Sequence, residues 1–302
     1  MNLPAQIQVL ERGWLSSNNI LFHDAGGAAL IDSGYLTHAP QTLDLVGHAL
    51  RGRPLARLIN THCHSDHIGG NAALAREHGC RISIPSGEAS AIAAWDDTAL
   101  MLSQTGQSAE RFSFDDTYAP GDNLKLGGLN WTAIAAPGHD MDALMLYSAE
   151  ARILISGDAL WENGFGVIFS ALRDHGEGFA ATGATLEAIA RLEVQTVVPG
   201  HGSPFGQIEQ SLERAFQRLR AFERDPAKHA RHALKVMLSF SLMMTGRLRE
   251  AELPGFLDRV PIYDEVNRRF LRLDKPALCE LLVSELARAG ALAREDGWLI
   301  AA

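Results

Sequence analysis

Thr61-His62-Cys63-His64-Ser65-Asp66-His67-Ile68-Gly69-Gly70 follows directly on the apolar run at residues 55–59. Three imidazoles and one carboxylate fall within the six positions from His62 to His67. Where the chain leaves a strand still extended, alternate side chains point to opposite faces. His62 and His64 then share a side, and Cys63 points away as a packed small residue. Asp66 and His67 come after a bend, where they can face a second metal nearby. Imidazole nitrogen and carboxylate oxygen are the donors that suit zinc and related divalent cations. Gly69 and Gly70 let the backbone turn into a helix that starts at Asn71. The plain alternative is a solvated, His-rich surface loop.

Three later stretches argue against that alternative. Ala136-Pro137-Gly138-His139-Asp140 follows a strand at residues 131–135, Ser156-Gly157-Asp158-Ala159 one at 152–155, and Pro199-Gly200-His201-Gly202 one at 196–198. Each delivers a metal-capable side chain on a Gly-containing turn beyond a strand's C-terminal end, where sites collect in open α/β sheets. A single such His or Asp is ordinarily a turn or cap residue. Four strand-end turns that all supply His or Asp are poorly explained as turns alone.

These motifs resemble those of the metallo-β-lactamase-fold superfamily of dinuclear metal hydrolases. His62, His64, Asp66 and His67 match its His-x-His-x-Asp-His motif, and His139, Asp158 and His201 match its later single-residue motifs. The resemblance implies a four-layer αββα sandwich and two divalent metal ions. Zinc is the first expectation, and iron or manganese are accepted by the same donors. It also implies that His62, His64 and His139 hold one metal, that Asp66, His67 and His201 hold the other, and that Asp158 bridges them. Asp32 ends the segment Ala28-Ala29-Leu30-Ile31-Asp32-Ser33-Gly34, which resembles the family's opening strand. Asp32 is therefore expected to orient a ligand from behind, or else to cap the turn at Gly34.

The chain of 302 residues suits one large domain or a domain plus an appendage. The expected division is a catalytic domain at 1–207 and a mainly helical extension at 208–302. In the extension, a helix leading into a hairpin around Asp296-Gly297 resembles a winged-helix module. The alternative is a helical cap that shapes a pocket or a homodimer surface. A formal net charge of −9 and the lack of a dense Lys/Arg block weigh against nucleic acid as a partner. Arg247, Arg249, Arg268, Arg269 and Arg272 read as a solvated helical surface. No apolar run is long enough to span a membrane, and the N-terminal stretch lacks the order of a secretory signal. With three cysteines and no paired spacing, the expected compartment is the cytoplasm.

Two cations held by neutral imidazoles and only two carboxylates would ionise a bridging water, since metal binding lowers the pKa of water from about 15.7 to about 7. Asp66 is given a double role, as second-metal ligand and as orienter of the resulting hydroxide. The run from Thr61 to Asn71 is similar to the hydroxyacylglutathione hydrolase (glyoxalase II) group, which implies a small-molecule thioester substrate. No basic glutathione-binding cluster is matched, so another thioester or an ester is equally expected. Trp161, Glu162 and Phe165 follow Asp158 and are expected to line the substrate pocket. Two alternatives stand beside this one: a metallo-nuclease or phosphodiesterase acting on RNA or a small phosphodiester, and a catalytically weak sensor that keeps the fold.

Overall fold

The computed structural model describes residues 3–173 and 177–302; Met1 and Asn2 of the N-terminal stretch lie outside the described residues. Short, largely apolar segments, most of them buried along their whole length, build two sheets. The first contains β1 (Ile7–Leu10), β2 (Asn19–Phe22), β3 (Ala28–Ile31), β4 (Leu55–Ile59), β5 (Arg81–Pro85) and β6 (Asp116–Tyr118), lying side by side in chain order. β1, β2 and β3 pair antiparallel, whereas β3 to β6 run parallel. The second contains β7 (Asn123–Leu126), β8 (Leu129–Ala135), β9 (Leu144–Ser148), β10 (Ile153–Gly157) and β11 (Thr196–Pro199), in the spatial order β11-β10-β9-β8-β7. Here β7 to β10 pair antiparallel and β10 with β11 parallel, so β8, β10 and β11 all point the same way.

The two sheets pack face to face. Phe22, Ala29, Ile31 and Ile59 from the first meet Trp131, Ala133, Leu146, Ile155 and Val198 from the second. Phe22 and Trp131 meet edge-on with centroids 5.4 Å apart, and the Trp131 indole donates to the Leu126 carbonyl at 3.1 Å. Leu21, Leu30, Leu58, Met145, Leu154 and Val197, one register step away, are fully buried on the opposite faces. Strands buried on both sides need cover outside as well. Helices such as Ala39–Leu50, Asn71–His78 and Glu177–Ala190 complete the four-layer αββα arrangement.

The chain forms two compact units, Met1–Leu100 with Ser108–Leu219 and Met101–Gln107 with Arg220–Ala302. The first therefore extends beyond residue 207 into the helix Ile208–Arg224. The second runs helix Pro226–Thr245, β12 (Arg247–Arg249), helices Leu253–Arg259, Pro261–Val266 and Lys275–Arg288, then β13 (Leu292–Glu295) and β14 (Trp298–Ala301). β14 lies between β12 and β13. With Pro261–Val266 set aside, that order is the one a winged helix has.

The Asp225 carboxylate caps the helix Pro226–Thr245 by accepting from the Lys228 N–H, and Pro226 takes its first turn. Arg247 and Arg249 lie on β12 rather than on a helix. Between Glu88 and Phe112 the chain forms two short α-helices, Ala89–Ala94 and Leu102–Thr105. Left-handed Trp95 (φ 54°) ends the first of these short helices, and the Asp96 carboxylate ties off the following turn on the N–H groups of Thr98 and Ala99.

Candidate metal centre

The parallel course of β3 with β4, and of β8 with β10 and β11, brings the C-terminal ends of strands from both sheets together. Asp32 follows β3, His62 and His64 follow β4, His139 follows β8, Asp158 follows β10 and His201 follows β11. The motif after β4 bends into a short helix, Ser65–Ile68, which turns Asp66 and His67 back toward the same place. Gly69 is required there: a Cβ on it would run into the backbone of Tyr35 and Leu36.

The predicted donors converge as two sets, His62 with His64 and His139, and Asp66 with His67, Asp158 and His201. Within each set the ligand atoms lie within 4.8 Å of one another. Asp158 reaches both sets. One oxygen is 3.4 Å from His67 Nε2; the other is 3.5 Å from His139 Nε2 and 3.7 Å from His201 Nε2. His201 Nε2 lies 3.1 Å from the Asp66 carboxylate.

The far sides of His139 and His67 are set by protein partners. His139 donates Nδ1–H to the Val167 carbonyl at 2.6 Å, which leaves the Nε2 lone pair facing His64 Nδ1 at 2.8 Å. His67 Nδ1 is 2.8 Å from Asp32, whose carboxylate also accepts from the Thr61 N–H at 2.9 Å and the Thr61 hydroxyl at 2.8 Å. Asp32 thus stands behind His67, joined to it and to Thr61. It holds a left-handed φ of 57° to do so, a conformation that Asp tolerates better than most residues. His62 Nε2 is buried in the middle of the cluster with no hydrogen-bond partner. A buried, orphaned imidazole nitrogen is costly unless a cation takes its lone pair.

The electrostatics fit that use at His62, His64 and His139, whereas His67 would release a proton on binding a cation. Burial, reinforced by the neighbouring imidazoles, holds His62 well below its ordinary pKa. Burial also brings His64 and His139 down to about 4. Burial works against ionising Asp66 and Asp158, but the surrounding histidines outweigh it and keep both carboxyls low. For His67 the order reverses: burial opposes the charged ring, and Asp32, Asp158 and Asp66 together raise it well above the usual value. Neutral imidazoles and ionised carboxylates are the forms that ligate metals.

The model for the Metallo-beta-lactamase superfamily matches residues 12–201. The chain belongs to that superfamily. Curated relatives within the metallo-beta-lactamase superfamily include hydroxyacylglutathione hydrolases from Nitrobacter winogradskyi (30% identical over 152 residues, 50% of each chain) and Rhodopseudomonas palustris strain HaA2 (30% identical, 49% of this chain and 50% of that one). The chain spans about half the length of these relatives. Among solved structures, a metallo-beta-lactamase family protein from Thermus thermophilus superposes with a TM-score of 0.58 at 19% identity, covering 98% of both chains. A beta-lactamase domain protein from Burkholderia ambifaria gives a TM-score of 0.56 at 22% identity, covering 100% of this chain and 94% of that one. These two likenesses establish the metallo-beta-lactamase fold.

The three residues expected to line the pocket part company. Trp161 stands at the site, its indole N–H 3.3 Å from Asp158. Phe165 is buried at 2% exposure and walls a void of about one water's size behind His139 and Asp158. The Glu162 side chain is exposed, and only its carbonyl is engaged, by Arg214. Three residues at the site escaped sequence reading. Trp14 stacks on His201; no motif marks it. Asp140 lies 3.4 Å from His64 Nε2, and adjacency to His139 was its one signal. Glu88 accepts from the Cys63 N–H at 3.2 Å and is hydrogen-bonded to Asp140. Burial, and then Asp140, push the Glu88 carboxyl well above its ordinary value.

Proposed function

We propose that the chain is a metal-dependent hydrolase that cleaves a thioester or ester at a two-metal centre. The observation that carries this is the convergence of two donor sets on Asp158, one oxygen of which lies near His67 and the other between His139 of one set and His201 of the other. His62, His64 and His139 would hold one divalent cation, Asp66, His67 and His201 the other, with Asp158 shared. Zinc fits these donors first. Bound there, the cations supply Lewis acidity, which ionises water near neutral pH and polarises the carbonyl under attack.

The chain's own groups do the remaining work. Asp66 is placed to accept a hydrogen bond from the attacking water and so to aim it, while His201 at 3.1 Å fixes the carboxylate. The Val167 carbonyl holds His139 in the tautomer that leaves Nε2 unprotonated, and Asp32 orients His67, whose Nε2 would give up a proton on binding a cation. The Asp140 carboxylate, braced by Glu88, does the corresponding service behind His64. The hydroxyacylglutathione hydrolase relatives support thioesters as the first substrate class to try. The test is metal analysis of the purified protein, followed by a screen of thioesters, esters, lactones and phosphodiesters. The expected result is about two metals per chain and turnover of an acyl substrate. Fewer than one metal per chain under non-chelating conditions would sink the proposal, and turnover of phosphodiesters alone would replace it. His62→Ala is expected to lose metal and activity with an unchanged circular dichroism spectrum.

A further inference from the structure

The loop between β1 and β2 carries Trp14, which is 54% exposed. Its indole lies flat on the His201 imidazole, with centroids 5.6 Å apart and 7° between the planes. It meets Trp161 edge-on at 5.4 Å, and Trp161 in turn meets His201 at 5.4 Å and 74°. The rings form an aromatic corner against the donor set of Asp66, His67, Asp158 and His201.

Both walls are tied to the turns that carry the donors. On the Trp14 side, the Ser17 N–H donates to the Asp66 carbonyl at 2.9 Å, and the Asn18 N–H to the Gly200 carbonyl at 2.7 Å. The Asn18 side chain adds bonds to the carbonyls of Pro199 and Gly202 at 3.0 and 2.7 Å. On the other side, Trp161 and Gly164 close a tight turn at 2.7 Å. Arg214 grips the Glu162 carbonyl at 2.7 Å, and Arg218 lies over Phe165. A preorganised aromatic face costs little entropy to engage, because its side chains are already ordered. Half of a large indole left in water beside a polar site is apolar area that a ligand can cover with gain.

We propose that Trp14 and Trp161 form an aromatic subsite that selects substrates bearing an aromatic or other flat apolar group beside the scissile carbonyl. The subsite deepens the hydrolase reading above and rests on it. The deciding experiment compares acetyl and phenylacetyl thioesters of one small thiol on the metal-loaded, full-length protein. The wild type is expected to favour the phenylacetyl ester. In Trp14→Ala the phenylacetyl-to-acetyl ratio of kcat/KM should fall about tenfold, in line with the loss of stacking and covered area. The fall should lie in KM, and Trp14→Phe should recover most of it. An unchanged ratio, or an equal fall for both esters, overturns the subsite and leaves hydrolysis standing. If the wild type turns over neither ester, thioester hydrolysis has failed by itself, and binding then decides the subsite. Phenylacetate, with acetate as control, is titrated against tryptophan fluorescence. Saturable quenching that weakens several-fold in Trp14→Ala supports the subsite; no binding, or equal binding by both proteins, overturns it.

Discussion

Asp32 shows how much one side chain sets at this centre. Its carboxylate accepts three hydrogen bonds, from His67 and from the main chain and hydroxyl of Thr61. Asp32→Asn keeps a residue that tolerates the left-handed backbone but weakens the acceptor facing His67. Metal affinity is expected to drop ten- to a hundredfold, the usual cost of losing such a partner, as read by isothermal titration of the metal-free protein. Asp32→Ala should lose affinity to a similar degree and also melt lower, by about 1 kcal/mol of backbone strain. Gly200 is as demanding for a different reason. A Cβ there would collide with the Asp158 carboxylate and crowd the His67 ring. Gly200→Ala is expected to displace Asp158 and to cut metal stoichiometry while far-UV circular dichroism stays native; normal stoichiometry would show that the turn can yield. The seven donors could be read in the sequence because each is a metal-binding type on a recognisable strand-end turn. Trp14 could not, since an aromatic residue after a glycine carries no chemical signature. The Glu88–Asp140 contact was hidden for another reason: it joins a short helical turn to a loop from the other sheet, a pairing that only the packed sheets create.

Among the elements, most strands follow from short apolar runs and most helices from helical spacing, and the exceptions are instructive. β6 is three residues long and β12 is another three, too short for a period to emerge. β12 is held by its side chains. Arg247 and Arg249 stand 4.2 and 4.1 Å from the Trp298 ring on the adjacent β14. Each exposed cation–π contact contributes about 0.5–1 kcal/mol. Trp298→Ala should therefore lower the melting temperature of the protein by a few degrees, and Trp298→Leu should restore little of it. In the same unit, Lys235 and Glu285 join helices Pro226–Thr245 and Lys275–Arg288 at 2.8 Å. The hydrogen bond from Lys235 leads in holding the Glu285 carboxyl below its ordinary value. A folded-state pKa that is depressed gives stability above the unfolded value, and that stability is lost as pH falls through the folded one. Glu285→Gln should thus melt lower than the wild type at pH 7, by under about 1 kcal/mol for so exposed a pair. The gap should close as the pH is taken below about 4, the ordinary range of a glutamate; a gap that persists there would remove the ion pair from the explanation.

At the scale of the whole molecule, the order of strands then helices announced a core followed by an appendage. The division at Leu219 was not legible, because the helix Ile208–Arg224 runs through it without a break in pattern. Among the described residues, no helix is long and apolar enough to cross a membrane. The donors come from β4 and its following turn in one sheet and from β8, β10 and β11 in the other. A cation held by either set would clasp the two sheets along the edge where their strands end, like a rivet through a seam. Its binding energy is then folding energy for the first unit. Saturation a hundredfold above Kd adds about 2.7 kcal/mol, or roughly 5–10 °C for a unit of this size. Removing metal with a chelator should lower the melting temperature by that amount. Hydrogen exchange should show the seam loosening first at the turns after β4 and β10, with the centre of each sheet still closed. Metal supply would then govern how long the folded chain lasts as well as what it can catalyse.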